Sequence, residues 1–186
     1  MSRGGGAAIE EASRFFMKQG PVHEALRRIA AKLKELKISY AVAGGIALVA
    51  HGYDRNTVDV NVLVTAEGLR AVTRALEGLG YVPRFVGSKQ LRDVQESVRI
   101  EFLVSGQCPG DGKPKPVAFP DPVDVAVEID GIKYVGLVTL IELKLASGIS
   151  SPGRVKESRR RTGADSHPET AAGIWGQIEC IRAGEI

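Results

Sequence analysis

Residues 40–64 read YAVAGGIALVAHGYDRNTVDVNVLV, and the way this stretch alternates decides the fold. YAVA is a short apolar run closed by the pair Gly44-Gly45, as expected of a buried strand that turns into a helix. IALVAHG supplies a short helix ending at Gly52. TVDVNVLV then alternates valine with Asp59, Asn61 and Leu63 at the period of a strand. Residues i and i+2 of a strand point the same way, about 6.5 to 7 Å apart, so Asp59 and Asn61 share one face. An acid and an amide side by side can both offer hard oxygen to one ion, and Mg²⁺ takes such oxygens together with waters and phosphates. Gly44-Gly45 leaves room for backbone amides to approach a phosphate at the helix start.

The flanking chain supports an α/β arrangement. Val22, Ala25, Leu26, Ile29, Leu33 and Leu36 recur at helical spacing after Pro21, a first-turn proline. Thr65 caps a helix whose apolar positions Leu69, Val72, Ala75, Leu76 and Leu79 lead to Gly80. YVPRF is extended, and SVRIEFLV, residues 97–104, alternates again, with Arg99, Glu101 and Leu103 on one side. Glu101 is therefore a third oxygen donor if its strand lies beside that of Asp59. Residues 106–122 are dense in Gly and Pro and read as an irregular loop. VDVAVEI-DG-IKYV is a hairpin about Asp130-Gly131, and Thr139 with Glu142 has capping-box spacing for a helix ending at Gly148. The expected order is helix, helix, strand, short helix, strand, helix, strands, hairpin, helix and tail, with a small mixed sheet flanked by helices.

In order and spacing, Gly44-Gly45, His51-Gly52, Arg55-x-Thr57 and Asp59-Val60-Asn61 resemble the signature of the DNA polymerase beta superfamily of nucleotidyltransferases. Glu101 in RIEFL stands at the place of that family's third acid, and LIELKLASG resembles a helix of its small bacterial members. The resemblance spans residues 22–156. It implies a nucleotidyltransferase fold, a nucleoside triphosphate as ligand, and Mg²⁺ or Mn²⁺ as cofactor. Carried over, Gly44, Gly45, Arg55 and Thr57 bind the nucleotide, Asp59, Asn61 and Glu101 hold metal, and Asp59 and Glu101 are catalytic. The reaction implied is transfer of a nucleoside monophosphate to a hydroxyl acceptor. Asn61 departs from the pattern, because an amide stands where the family has a second acid. The alternative is a catalytically silent nucleotide-binding or protein-interaction module. Small relatives include antibiotic-modifying enzymes and toxins of toxin-antitoxin pairs, and nothing in the residues chooses between them.

Composition sets the outer limits. The chain has 186 residues, 44% hydrophobic and 25% charged, with a net charge of +3, which suits one globular domain. No apolar run reaches the about 18 residues of a membrane span, and the opening residues lack the apolar core of a signal, so a cytoplasmic protein is expected. Cys108 and Cys180 are far apart and in unlike contexts, suggesting neither a disulfide framework nor a zinc site. A basic cluster runs from Arg154 and Lys156 to Arg159, Arg160 and Arg161, the one feature that would suit a nucleic-acid partner. Residues 1–156 are read as a nucleotidyltransferase-like domain. Residues 157–186, where periodicity fails, are read as an irregular tail with a truncated or frame-altered end.

Overall fold

A computed structural model describes residues 20–53, 56–110 and 116–148. Helix α1 (Pro21–Glu35) leads into strand β1 (Tyr40–Ala43), helix α2 (Gly44–Ala50) and strand β2 (Asp59–Val64). Helix α3 (Ala66–Leu76) is followed by β3 (Tyr81–Pro83), β4 (Gln90–Asp93) and β5 (Arg99–Val104). A single helical turn α4 (Pro122–Val125), the hairpin β6 (Ala126–Ile129) and β7 (Ile132–Val135), and helix α5 (Leu137–Gly148) complete it. The seven short strands form one mixed sheet in the order β3-β4-β5-β2-β1-β7-β6. Two pairs are parallel, β2 with β5 and β1 with β7, and the other neighbours are antiparallel.

The pairing of β2 with β5 positions everything else. Val60, Val62 and Val64 stand opposite Ile100, Phe102 and Val104, and all six side chains are buried. Helix α1 covers this side of the sheet, burying Ala25, Leu26, Ile29 and Leu33. It is tied to the sheet by Arg28, which hydrogen bonds to the carboxylate of Asp93, a β4 residue only 3% exposed. Because apolar residues occupy one side so completely, the alternate residues Asp59, Asn61, Arg99 and Glu101 point to the other.

Local chemistry explains most element boundaries. The Thr65 hydroxyl accepts from the Gly68 amide, as its capping role requires. Asp130 and Gly131 have φ of 51° and 76°, the paired positive values of a tight hairpin turn. Four readings are corrected. Helix α3 stops at Leu76, leaving Leu79 75% exposed, because Gly78 and Gly80 take positive φ and turn the chain. The hairpin's first strand begins at Ala126, since Asp121 accepts from the Val123 amide and Pro122 opens a helical turn instead. Helix α5 starts at Leu137, so Thr139 lies inside it and caps nothing; Leu140 already donates to the Gly136 carbonyl. Strand β4 was not expected at all. The first of the two expected opening helices, the tail over residues 157–186 and the basic cluster lie outside the described residues. Among the described residues no helix is long and apolar enough to cross a membrane.

Candidate functional site

Asn61 and Glu101 are direct register partners across β2 and β5, and Asp59 lies two residues along from Asn61. Adjacent strands run about 4.8 Å apart, so the Cα atoms of Asp59 and Glu101 are about 8 Å apart on the diagonal. All three side chains are partly exposed. Ala43 pairs with Asn61 on the other side of β2, and Gly44 follows at once, with φ of 72°. A Cβ on Gly44 would lie 2.5 Å from Asn61 Nδ2, with Cγ at 3.2 Å and Cβ at 3.3 Å. The glycine turn is thus packed directly against the Asn61 amide. A side chain there would force Asn61 to shift, and the positive φ favours glycine independently.

Asp59 is held at both carboxylate oxygens. Thr57 donates its hydroxyl to Oδ1 at 3.0 Å, and Arg99 donates Nη2 to Oδ2 at 2.7 Å. The bond to Asp59 raises the pKa of the Arg99 guanidinium above its ordinary value, partly offset by desolvation. Arg99 is the register partner of Asp59, and Arg92 is in turn the partner of Arg99 on β4. The face therefore carries a cross-strand row Arg92-Arg99-Asp59 beside a row Gln90-Glu101-Asn61. Alternation had already placed Arg99 on the side of Glu101. That it meets Asp59 depends on β5 pairing in parallel with β2, which no local pattern reveals.

The donor set can be compared with the metal implied by the resemblance. Two carboxylates and an amide oxygen on one open face fit a single hard dication whose remaining positions are filled by water or phosphate oxygens. They do not fit a pair of dications, which needs more negative charge than Asp59 and Glu101 supply. Among the described residues no three His, Cys, Asp or Glu side chains are grouped to share an ion. The other expected residues are placed as follows. Thr57 supports Asp59, Gly45 is the second residue of α2, and Arg55 lies outside the described residues. His51 bonds through Nε2 to the Val135 carbonyl at 2.9 Å; since a carbonyl only accepts, the ring donates and fastens the end of α2 to β7.

A cavity of about 350 Å³ lies on the opposite side of the sheet, beneath α1, lined by Leu26, Ala30, Tyr40, Ile46, Ile132 and Tyr134 among others. It shares no residue with the acid-bearing face.

The fold is that of a nucleotidyltransferase-like protein. Among solved structures it is similar to a "putative nucleotidyltransferase" from Thermotoga maritima, with a TM-score of 0.51 at 20% sequence identity. The match covers 74% of this chain and 89% of the other. At that identity the likeness defines the architecture and leaves the chemistry to the residues. No protein-family model matches the sequence, and no curated protein matches it either.

Proposed function

We propose that the open face binds a nucleoside triphosphate with one Mg²⁺ or Mn²⁺ and transfers a nucleoside monophosphate to a hydroxyl acceptor. The observation that carries this reading is the convergence of Asp59, Asn61 and Glu101 from two register-matched parallel strands, with Gly44 packed against Asn61. Backbone amides of Gly44 and Gly45 meet phosphate oxygens, because neither residue carries a side chain of its own. Thr57 orients Asp59, and Glu101 accepts the proton of the attacking hydroxyl. The new bond joins that oxygen to the α-phosphorus, and the bond to the β-phosphate breaks, so pyrophosphate leaves. A cation at these oxygens supplies charge neutralisation of the phosphoryl group.

A second reading has its own observation. Both Asp59 oxygens are occupied by neighbours, and Asn61 brings no charge, so Asp59, Asn61, Glu101 and Arg99 together carry one net negative charge. Such a face suits nucleotide binding without turnover. Calorimetry with the four NTPs, with and without Mg²⁺ or Mn²⁺, tests the shared step. Pyrophosphate release across a panel of hydroxyl acceptors separates the two readings. Transfer that is lost in Asp59→Ala supports the enzyme; binding with no release supports the silent module. No binding of any NTP overturns both.

A further inference from the structure

We infer that Arg99 is an internal counter-ion that blocks the cation position at Asp59 until phosphate draws it away, so that nucleotide loads before metal. This deepens the proposed function and rests on it. Arg99 is half exposed, with a side-chain accessibility of 53%, and the Asp59 side chain retains 21%. An ion pair this open is weak and exchangeable. Its geometry nevertheless places a positive charge 2.7 Å from the oxygen a dication would need. A dication approaching Asp59 meets both a competitor for that oxygen and a like charge beside it. The guanidinium is also the group best suited to phosphate, because its donors match a pair of phosphate oxygens.

The second observation is the partner row. Arg92 stands in register beside Arg99 on the next strand, exposed, and on the side of the sheet that carries Asp59 and Glu101. Two guanidiniums in a row form a track for a polyanion that runs from β4 across β5 towards Asp59. When a triphosphate takes Arg99, the Oδ2 atom of Asp59 is released, and the arriving anion replaces the lost positive charge with negative charge. Both changes favour the cation. By linkage, a cation on Asp59 favours phosphate on Arg99 to the same degree.

The inference requires opposite effects from one substitution. In Arg99→Gln, Mn²⁺ alone binds about five-fold more tightly than in the native chain, because competitor and like charge are both gone. In the same variant a non-hydrolysable NTP analogue in EDTA binds about ten-fold more weakly, because a charged hydrogen-bond donor is lost. Lys89→Gln removes an equal charge from an exposed lysine bonded to Gln107, outside the cross-strand row of Arg92, Arg99 and Asp59, and leaves both affinities unchanged. Circular dichroism and a urea midpoint near the native one verify that Arg99→Gln is folded. Arg99→Lys keeps the charge and restores the weak Mn²⁺ affinity, while recovering only part of the analogue affinity. Both affinities moving the same way, or neither moving, overturns the inference while the site stands. If neither the native chain nor any variant binds Mn²⁺ or analogue, the site reading falls and takes the inference with it.

Discussion

The Asn61 amide has two neighbours that pull in different directions, and both can be tested by substitution. Against Gly44 it is a packing partner. In Gly44→Ala the new methyl group must occupy a point 2.5 Å from Nδ2 at a φ of 72°, so about 2 kcal/mol of stability should be lost in urea unfolding. Adding Asn61→Ala should return the contact part of that loss and not the backbone part, which a double-mutant cycle separates. Against Glu101 the amide is a neutral neighbour in register. Asn61→Asp should tighten Mn²⁺ binding at least about ten-fold, because a second carboxylate faces the ion in a partly desolvated site. Without metal, two acids in register raise the pKa of one of them. Between the ordinary carboxylate value of about 4 and that raised value, the folded variant keeps a proton that the unfolded chain has released. Its stability relative to the native chain therefore falls as pH rises through that window and is regained below it. Equal stability of the two chains at pH 4 and pH 8 in EDTA would show that the introduced carboxylate and Glu101 do not interact.

At the scale of elements, the tie between α1 and β4 is the contact most exposed to challenge. Asp93 is buried, accepts from Arg28 and from the Glu96 amide at 3.3 Å, and is aided by Glu96, whose carboxylate lies 3.6 Å from Arg28. Asp93→Ala leaves the guanidinium with only that distant partner, and about 2 to 3 kcal/mol should be lost at neutral pH, read from the urea midpoint. A loss below about 0.5 kcal/mol would mean that α1 is held by its apolar side alone. The same pair explains why β4 was invisible in the sequence. QLRD offers a single buried apolar residue, Leu91, and its other inward residue is an acid that becomes acceptable only when Arg28, from a helix 65 residues away, meets it. Strands β1, β2 and β5 were legible because their burial alternates with polar residues or runs unbroken, patterns set within each segment. The placement of Asp59, Asn61 and Glu101 on a single face was half legible: alternation gave the side within each strand, and pairing gave the rest. Arg99 shows the limit. Its side followed from spacing, while its bond to Asp59 came from a parallel pairing between residues 40 positions apart. The start of α5 failed for the opposite reason, since a local capping pattern at Thr139 was overridden by the strand turn at Gly136, whose amide donates to the Val125 carbonyl.

For the molecule as a whole, the sheet separates two environments, a charged open face and a covered face that holds three tyrosines. Tyr40, Tyr81 and Tyr134 are 6%, 5% and 7% exposed, on β1, β3 and β7. Burial raises all three pKa values, and in Tyr134 it is joined by the charge of Asp130 to push the phenol up to about 12. An unfolded tyrosine ionises near about 10. Below that value both states hold the proton and the group contributes no pH dependence. From about pH 10 to 12 the unfolded chain releases a proton that folded Tyr134 retains, so unfolding is progressively favoured as pH rises. For Tyr134 alone the full effect is about 2 to 3 kcal/mol, reached once pH passes the folded value, with Tyr40 and Tyr81 adding in the same direction. The chain should therefore keep its urea midpoint up to about pH 9.5 and lose it steeply between about pH 10 and 11.5, with the phenolate absorbance of the buried Tyr40, Tyr81 and Tyr134 appearing together with unfolding and not before it. Tyr134→Phe cannot ionise, so its midpoint should fall less over that interval than the native one, whatever its stability at pH 8. An equal fall in both chains would place the alkaline transition elsewhere, in the lysines or in Tyr40 and Tyr81. Phenolate absorbance for all of Tyr40, Tyr81 and Tyr134 in the still-folded protein near pH 10 would show that the covered face admits water to its hydroxyls.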